Sequence, residues 1–167
     1  MNIFVTDPCP IISAQALDNK RVVKMVLETA QLLSSAIFIN SGILYDGIYR
    51  PTHRKHPCTI WASLSLGNWE WLLEHFIALC DEYNYRYNKR HASEEILPYL
   101  IKYRTHIQKG PITSFVNCAR SEQLQVDSRE LGDTCEAYRK YLITKWDNDS
   151  IPPNWFHRWP PLWRTIL

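Results

Sequence analysis

The sequence predicts an all-α fold: a compact single-domain helical bundle over residues 1–167, with an extended N-terminal arm and an irregular aromatic C-terminal strap. Three observations favour this fold. Two stretches, residues 17–36 and 68–87, place apolar side chains at helical spacing. Prolines exclude a helix interior near both ends of the chain. A length of 167 residues with 46% hydrophobic content suits one domain around a single core.

The first long helix follows a short arm. Pro8 and Pro10 come directly after an apolar run, which predicts extended backbone. Ser13 is a suitable N-cap for a helix that begins near Ala14 and ends at residues 40–42. On the helical wheel a wide apolar face is backed by a narrow polar stripe, which consists of Lys20, Arg21, Lys24, Glu28, Gln31 and Ser35.

This polar stripe has two interpretations. It is typical of a solvated surface with i,i+4 charge pairs. It also fits the wall of a site, because a carboxylate between cations can steady a developing positive charge or move a proton.

The next elements are a basic loop and a second long helix. The loop covers residues 43–57, and it either contacts phosphates or is only solvated. Its charged and titratable side chains are Arg50, His53, Arg54, Lys55 and His56. A short helix over residues 58–64 follows, then a break at Gly67-Asn68, then the helix over residues 68–87.

The second half is predicted in less detail. A helix from Ser93 to about His106 should start late or kink at Pro98. Residues 112–127 form an irregular connection, and the last helix covers residues 128–146.

The tail, residues 151–167, contains four prolines that exclude a regular helix. Aromatic residues alternate there with cationic ones, and they are Trp155, Phe156, His157, Arg158, Trp159, Trp163 and Arg164. Such a surface can stack on bases and touch phosphates, or the rings can fill the core. Both uses are compatible if most ring area is buried and one or two rings face a ligand.

Composition limits the classes of function. A net charge of +2 excludes a polycation, so any nucleic-acid surface must be a local patch. Five widely spaced cysteines without a CxxC motif favour reduced thiols in a cytoplasmic protein. A zinc site can be drawn from His53, His56 and Cys58, but the spacing matches no standard site and a fourth ligand is not evident. We therefore expect no metal and no cofactor.

Membrane association is not expected either. The N-terminus lacks the pattern of a signal peptide, and no apolar stretch reaches membrane length. The oligomeric state stays open.

Several short motifs resemble the pyrimidine-dimer DNA glycosylase family. They are Leu17-Asp18-x-Lys20, a helix reaching Glu28-Thr29, His56-Pro57, and an aromatic helix that ends Asp81-Glu82-Tyr83 with Arg86. Nearly the whole chain also resembles an uncharacterised phage protein family that begins MNIF, carries a KMxLExAQ helix and continues through THxxHPxxxW. This second resemblance implies a bacteriophage context.

The glycosylase resemblance implies a compact helical enzyme. Its N-terminal arm places the α-amine beside a glutamate on the first long helix, where the amine attacks the anomeric carbon of deoxyribose. The base leaves, and a Schiff base forms that permits strand cleavage. Arginines and an aromatic, basic tail hold the DNA. In this sequence the resemblance implies Glu28 as the glutamate and His56 as the family histidine.

The identity of the nucleophile stays open. An α-amine ordinarily titrates near pH 8, so part of it is neutral and nucleophilic at cellular pH. Asn2 is a bulky neighbour of the kind that usually preserves the initiator methionine. The nucleophile is then the amine of Met1, the amine of Lys24 one turn before Glu28, or water. Gln31 stands where the family resemblance would place an arginine.

Three functions follow from these observations. The first is a DNA glycosylase, with or without AP-lyase activity, acting on a damaged or modified base. The second is an N-glycosidase acting on a free or modified nucleotide, and the third is a non-enzymatic protein that binds DNA or a host factor. The candidate catalytic residues are Glu28, Met1 and Lys24. The candidate substrate-binding residues are Asn2, Asp18, Arg21, Gln31, Arg50, His53, His56, Trp155, His157, Arg158 and Trp159.

Overall fold

A computed structural model describes residues 1–166 and confirms the all-α fold. The helices are α1 (Pro10–Ala16), α2 (Asn19–Ser41), α3 (Pro57–Leu64), α4 (Leu66–Tyr87), α5 (Leu97–Tyr103), α6 (Thr134–Asp147) and α7 (Trp163–Ile166). Short 3₁₀ helices cover Ala92–Ile96 and Arg104–His106. Two-residue strands, β1 (Arg120–Ser121) and β2 (Val126–Asp127), pair antiparallel in the connection before α6.

The core lies between the two long helices, with contributions from both ends of the chain. Helix α4 packs against α1, α2 and α3. The N-terminal arm runs into the same apolar cluster, where Ile3 and Val5 are fully buried beside Leu79 of α4 and Tyr138 of α6. The arm is therefore part of the core, and its first residues are fixed against α2 instead of extending into solvent.

The prediction of one helix from Ala14 to residue 40 is wrong, because the chain breaks at Leu17 and Asp18. Both residues have extended backbone, so α1 ends at Ala16 and α2 begins at Asn19. The carbonyls freed at the end of α1 have tertiary partners. Arg86 donates to the carbonyl of Leu17 at 2.7 Å, and the indole of Trp155 donates to that of Ala16 at 3.0 Å. These distant donors stabilise a break that local sequence does not signal.

Ser13 is not an N-cap, because α1 already begins at Pro10. Its hydroxyl lies inside the helix and accepts hydrogen bonds from the backbone N–H groups of Thr6 and Asp7. It also donates to the carbonyl of Asp7 at 2.9 Å. Ser13 thus holds the turn between the arm and α1.

Helix α4 begins two residues before its predicted start, with Ser65 as its N-cap. Gly67 does not break this helix but lies in its first turn. A side chain at Gly67 would collide with the backbone of Ile112, so the glycine permits a close approach of the chain after α5.

The C-terminal half departs further from the sequence prediction. Helix α6 begins at Thr134 rather than at residue 128, because the side chain of Asp133 caps it by accepting from the N–H of Cys135 at 2.8 Å. A four-residue helix, α7, follows the last prolines of the tail. The late start expected near Pro98 is confirmed, since α5 begins at Leu97 and has the proline in its first turn.

Helix α2 corrects the expectation about membrane length. It is the one helix within residues 1–166 that is long and apolar enough to cross a membrane, with a mean hydropathy of 1.6 over its most apolar window. That window is 61% buried inside the fold, as is usual for the core helix of a folded domain.

Candidate active site

The arm brings the amino terminus to Glu28. The α-amine of Met1 lies 3.8 Å from Oε2 of Glu28, and Nζ of Lys24 lies 3.2 Å from Oε1 of the same carboxylate. The carboxylate therefore lies between two cations that come from different parts of the chain. One is one helical turn away on α2, and the other is at the end of the arm.

The exposed part of Met1 is its main chain. The side chain of Met1 is only 3% exposed, yet the residue as a whole is partly exposed. The side chain of Glu28 is 15% exposed, so both partners are partly accessible to solvent. A buried methionine side chain beneath an accessible main chain fits an amine that is held in place and open to a ligand.

Asn2 organises the arm next to this amine. Its side-chain oxygen accepts from the N–H groups of Ile3 at 2.8 Å and Phe4 at 3.3 Å. Its amide donates to the carbonyl of Cys118 at 3.4 Å, and the residue is buried. Phe4 has a φ of +44°, a left-handed conformation that these bonds support. Asn2 is thus engaged inside the protein and bends the arm toward Glu28.

The basic loop forms a second wall. Thr52 is tied to Ser35 of α2 through two hydrogen bonds, of 3.0 and 3.1 Å. His56 is the N-cap of α3 and accepts from the N–H of Cys58 at 3.2 Å. His53 and Arg50 are exposed on the same loop. The loop is therefore tied to the polar stripe of α2 at Ser35, and Gln31 of the same stripe is half-buried.

The electrostatic effects on His56 indicate that this loop and the amino terminus share one site. Burial, the charge of the amino terminus and His53 lower the pKa of His56 below its ordinary value, while Glu28 acts in the opposite direction. The imidazole is consequently neutral near pH 7 and can accept or donate a hydrogen bond.

The N-terminal end of the stripe is an internal ion network. Arg21 is buried and pairs with Asp18 at 2.9 Å and with Asp149 at 2.8 Å. Asp18 also accepts from the indole of Trp146 at 2.8 Å. These contacts join α2 to α6. They occupy the Arg21 guanidinium, which is therefore less accessible to a ligand than an exposed arginine would be.

Lys145 of α6 is a neighbour that sequence reasoning missed. Burial and the charge of Arg21 lower the pKa of Lys145 from its ordinary value, while Asp149 raises it. The charges of exposed Lys20 and Lys24 lower the pKa of Lys145 as well, and these three lysines are called the basic rim. No local signal in the sequence places Lys145 there, because it lies on a different helix more than a hundred residues away.

The predicted tail residues are divided between core and surface. Trp155 is buried against Trp146, with ring centroids 5.1 Å apart. Arg158 binds Glu82 of α4, with Nε 2.8 Å from Oε1. His157 is exposed, and Trp159 is 92% exposed. The contacts of the described tail residues are with α1, α4, α6 and the start of α2 rather than with the Glu28 carboxylate.

Cys118 is the second residue that sequence reasoning missed. Its Sγ lies 3.7 Å from Sγ of Cys58, the second residue of α3. The hydrogen bond from the Cys58 thiol is the main reason why the pKa of Cys118 is lowered to about 7, with burial acting against it. The charge of the amino terminus lowers it slightly as well.

Comparison with known proteins gives one family. A family model described as pyrimidine dimer DNA glycosylase matches residues 1–95, which include the arm, helices α1–α4, Met1, Glu28 and His56. No curated protein and no solved structure matches the chain. The tail lies outside the matched residues.

Proposed function

The chain belongs to the pyrimidine dimer DNA glycosylase family, and from this premise we propose that it is a DNA N-glycosylase that uses the α-amine of Met1 as its nucleophile. The observation that carries the proposal is the 3.8 Å approach of this amine to Glu28. The proposed substrate is DNA with a damaged or modified pyrimidine. The resemblance to a phage protein family adds a bacteriophage context, and all of residues 1–167 are assigned to one glycosylase-like domain.

The proposed chemistry needs a neutral amine at the start and a carboxylate throughout. The nitrogen lone pair of Met1 attacks C1′ of the deoxyribose, and the bond from C1′ to the base nitrogen breaks. The base leaves with the bonding electrons and takes up a proton, while the attacking amine loses one. The C1′–O4′ bond then opens as O4′ takes up a proton, and an iminium forms. In the AP-lyase step C2′ loses a proton, a C2′–C3′ double bond forms, and the phosphate leaves C3′ with the bonding electrons.

Glu28 is proposed to stabilise the positive charge that develops on the sugar. A preorganised carboxylate in a cleft is worth several kcal/mol when water is excluded. Lys24 and the basic rim would hold the flanking phosphates, and His56 would orient the sugar or receive a proton. Exposed Arg50, His53, His157 and Trp159 are proposed as outer DNA contacts.

The test is trapping with borohydride. The protein is incubated with abasic, dimer-containing and undamaged duplexes, reduced, and digested for mass spectrometry. We expect a covalent adduct on the peptide that begins with Met1, with abasic and dimer-containing DNA but not with undamaged DNA. The intact mass must also show that the chain begins at Met1, since a preceding residue would remove this amine.

Three controls make the result specific. A Gly-Ser extension before Met1 moves the amine away from Glu28 and should abolish trapping. Glu28→Gln should lower the yield, whereas Glu74→Gln changes an exposed glutamate of α4 and should not. An adduct on Lys24 would instead identify the amine of that side chain as the nucleophile.

The alternative functions predict other outcomes. A water-using glycosylase would release base without an adduct. A nucleotide N-glycosidase would hydrolyse free nucleotides without measurable duplex affinity. A non-enzymatic DNA-binding protein would bind in a salt-sensitive manner and tolerate Glu28→Gln without any change. Each of these outcomes would overturn the proposed amine chemistry.

A further inference from the structure

Two thiols and one imidazole lie close together near the N-terminal arm. One ligand atom each from His56, Cys58 and Cys118 lies within 4.8 Å of the others, and this set is called the thiol–imidazole cluster. His56 and Cys58 are two residues apart at the start of α3, while Cys118 comes from the connection before α6. The cluster therefore joins two segments that are 60 residues apart.

The sulfur–sulfur distance has the value expected for two thiolates on one metal ion. Two thiolates at about 2.3 Å from a tetrahedral zinc ion lie roughly 3.8 Å apart. The two Sγ atoms are 3.7 Å apart. A disulfide would require about 2.05 Å and hence a movement of the backbone or side chains.

Each donor is held in place by the surrounding protein. Cys58 is fully buried in the first turn of α3, and His56 is the N-cap of that helix, where its Nδ1 accepts from the N–H of Cys58. A zinc ion would take over the ring lone pair that now makes this bond. The N–H of Cys118 donates to the hydroxyl of Tyr138 at 3.1 Å, and its carbonyl accepts from Asn2. Fixed donors require little rearrangement to bind an ion, which favours a specific site over an incidental contact.

We propose that His56, Cys58 and Cys118 bind a single zinc ion. Two thiolates and an imidazole select a borderline-soft cation such as zinc over magnesium or calcium. Within residues 1–166 no fourth histidine, cysteine or carboxylate joins the cluster. Three protein ligands leave the fourth position for water, as in open zinc sites.

The ion would clamp the connection between α5 and α6 onto the start of α3. Asn2 hydrogen-bonds to the backbone of Cys118, so the same ion would also set the position of the arm. Cys118 lies outside the residues matched by the family model. The inference does not depend on glycosylase activity.

The test uses the full chain, reduced and stripped of metal under anaerobic conditions. Addition of Co²⁺ should produce thiolate-to-metal charge-transfer absorption, and Zn²⁺ should bleach it at one equivalent. X-ray absorption of the zinc-loaded protein should give two sulfur neighbours at about 2.3 Å. Zinc affinity is measured by competition with a chromophoric chelator.

Variants locate the site. Cys58→Ser, Cys118→Ser and His56→Gln should each weaken zinc binding at least about tenfold. Cys9→Ser is the matched control, because Cys9 precedes α1 outside the cluster and should leave the affinity unchanged. Circular dichroism of each variant separates loss of the site from loss of the fold, and any variant that unfolds is replaced by the alanine variant of the same position.

Several outcomes would overturn the proposal. They are no Co²⁺ charge-transfer absorption, sulfur neighbours absent from the X-ray absorption spectrum, or equal zinc affinity in all variants. A mass two hydrogens lower, mapped to a Cys58–Cys118 linkage in protein isolated under reducing conditions, would replace the metal site by a disulfide.

Discussion

Glu28 on α2 and Glu82 on α4 are both carboxylates held between two cations, but the two sites are built differently. Glu82 is buried and receives Arg86 Nε at 3.0 Å and Arg158 Nε at 2.8 Å. Glu28 has Met1 at 3.8 Å and Lys24 at 3.2 Å, and the Lys24 side chain is 69% exposed.

The difference separates a structural ion cluster from the one that we propose to be reactive. Planar guanidiniums saturate the Glu82 oxygens at hydrogen-bond distance and tie the tail to α4. The Glu28 oxygens keep lone pairs for a ligand, because the Met1 amine lies beyond hydrogen-bond length and Lys24 is a single, solvent-exposed cation. A carboxylate between two cations is therefore not a functional signal by itself. The structural and the proposed reactive carboxylate differ in two properties: how many oxygen lone pairs are unused, and how exposed the neighbouring cations are.

The largest expected effect is on catalysis at Glu28. Glu28→Gln should lower base release from dimer-containing DNA by about 10²–10³-fold, because the neutral amide no longer stabilises the developing positive charge. The free energy of unfolding should change by less than about 1 kcal/mol, since the lost ion pairs are partly exposed. Single-turnover kinetics and urea denaturation measure the two quantities. A variant that loses stability but retains its rate would make Glu28 a structural residue like Glu82.

At Glu82 we expect the opposite result, namely a large loss of stability and little change in borohydride trapping. Glu82→Gln leaves the fully buried Arg86 guanidinium without its counter-charge, which should cost about 3–5 kcal/mol of unfolding free energy. Borohydride trapping, measured at a temperature where the variant is folded, should stay near that of the wild type. If trapping fails in the folded variant, the tail and Glu82 belong to the active site and the contrast with Glu28 is wrong.

Two histidines, His75 on α4 and His56 at the start of α3, show a similar contrast between a buried and an accessible group. His75 of α4 is fully buried, donates from Nδ1 to the carbonyl of Pro10 at 2.9 Å, and has no partner for its other ring nitrogen among the described residues. Burial lowers the pKa of His75 to about 4. His56, in contrast, is half-buried in the open cleft.

The buried histidine makes acid stability predictable. Between pH 6.5 and 4 the unfolded chain binds a proton at residue 75 that the native state does not, so stability falls as the pH is lowered through this range and is constant above it. The loss should be about 3 kcal/mol. Urea denaturation from pH 7 to pH 4 measures it. His75→Asn should flatten the dependence, while exposed His157→Gln should leave it unchanged; an equal slope in all three proteins would contradict the assignment.

The sequence predicts the parts of this molecule that depend on local pattern. The helical wheel of α2 places Lys24 beside Glu28, and the prolines predict the arm and the irregular tail. What it misses depends on distant partners. Arg21 looks like a member of a site wall, but Asp149 and Trp146 draw it and Asp18 into an internal network.

The same limit applies to the candidate site. The approach of Met1 to Glu28 was expected from a family resemblance, because no spacing rule relates the first residue to a helix face. Cys118 and Lys145 carry no local signal at all, since only the packing of the C-terminal half brings them to the N-terminal cleft. Long-range packing therefore determines the outer parts of the cleft, and local periodicity determines its central carboxylate.

The smallest expected effect is at Lys24, and it distinguishes the two candidate amines. Lys24→Gln removes one exposed i,i+4 ion pair, which should change the unfolding free energy by no more than about 0.5 kcal/mol. Because the Met1 amine remains 3.8 Å from Glu28, the borohydride adduct should persist on the first residue. Lys20→Gln is the control, since Lys20 is equally exposed but pairs with Asp149. If Lys24→Gln alone abolishes the adduct, Lys24 supplies the reactive nitrogen, and the buried arm serves to position Glu28 rather than to attack the sugar.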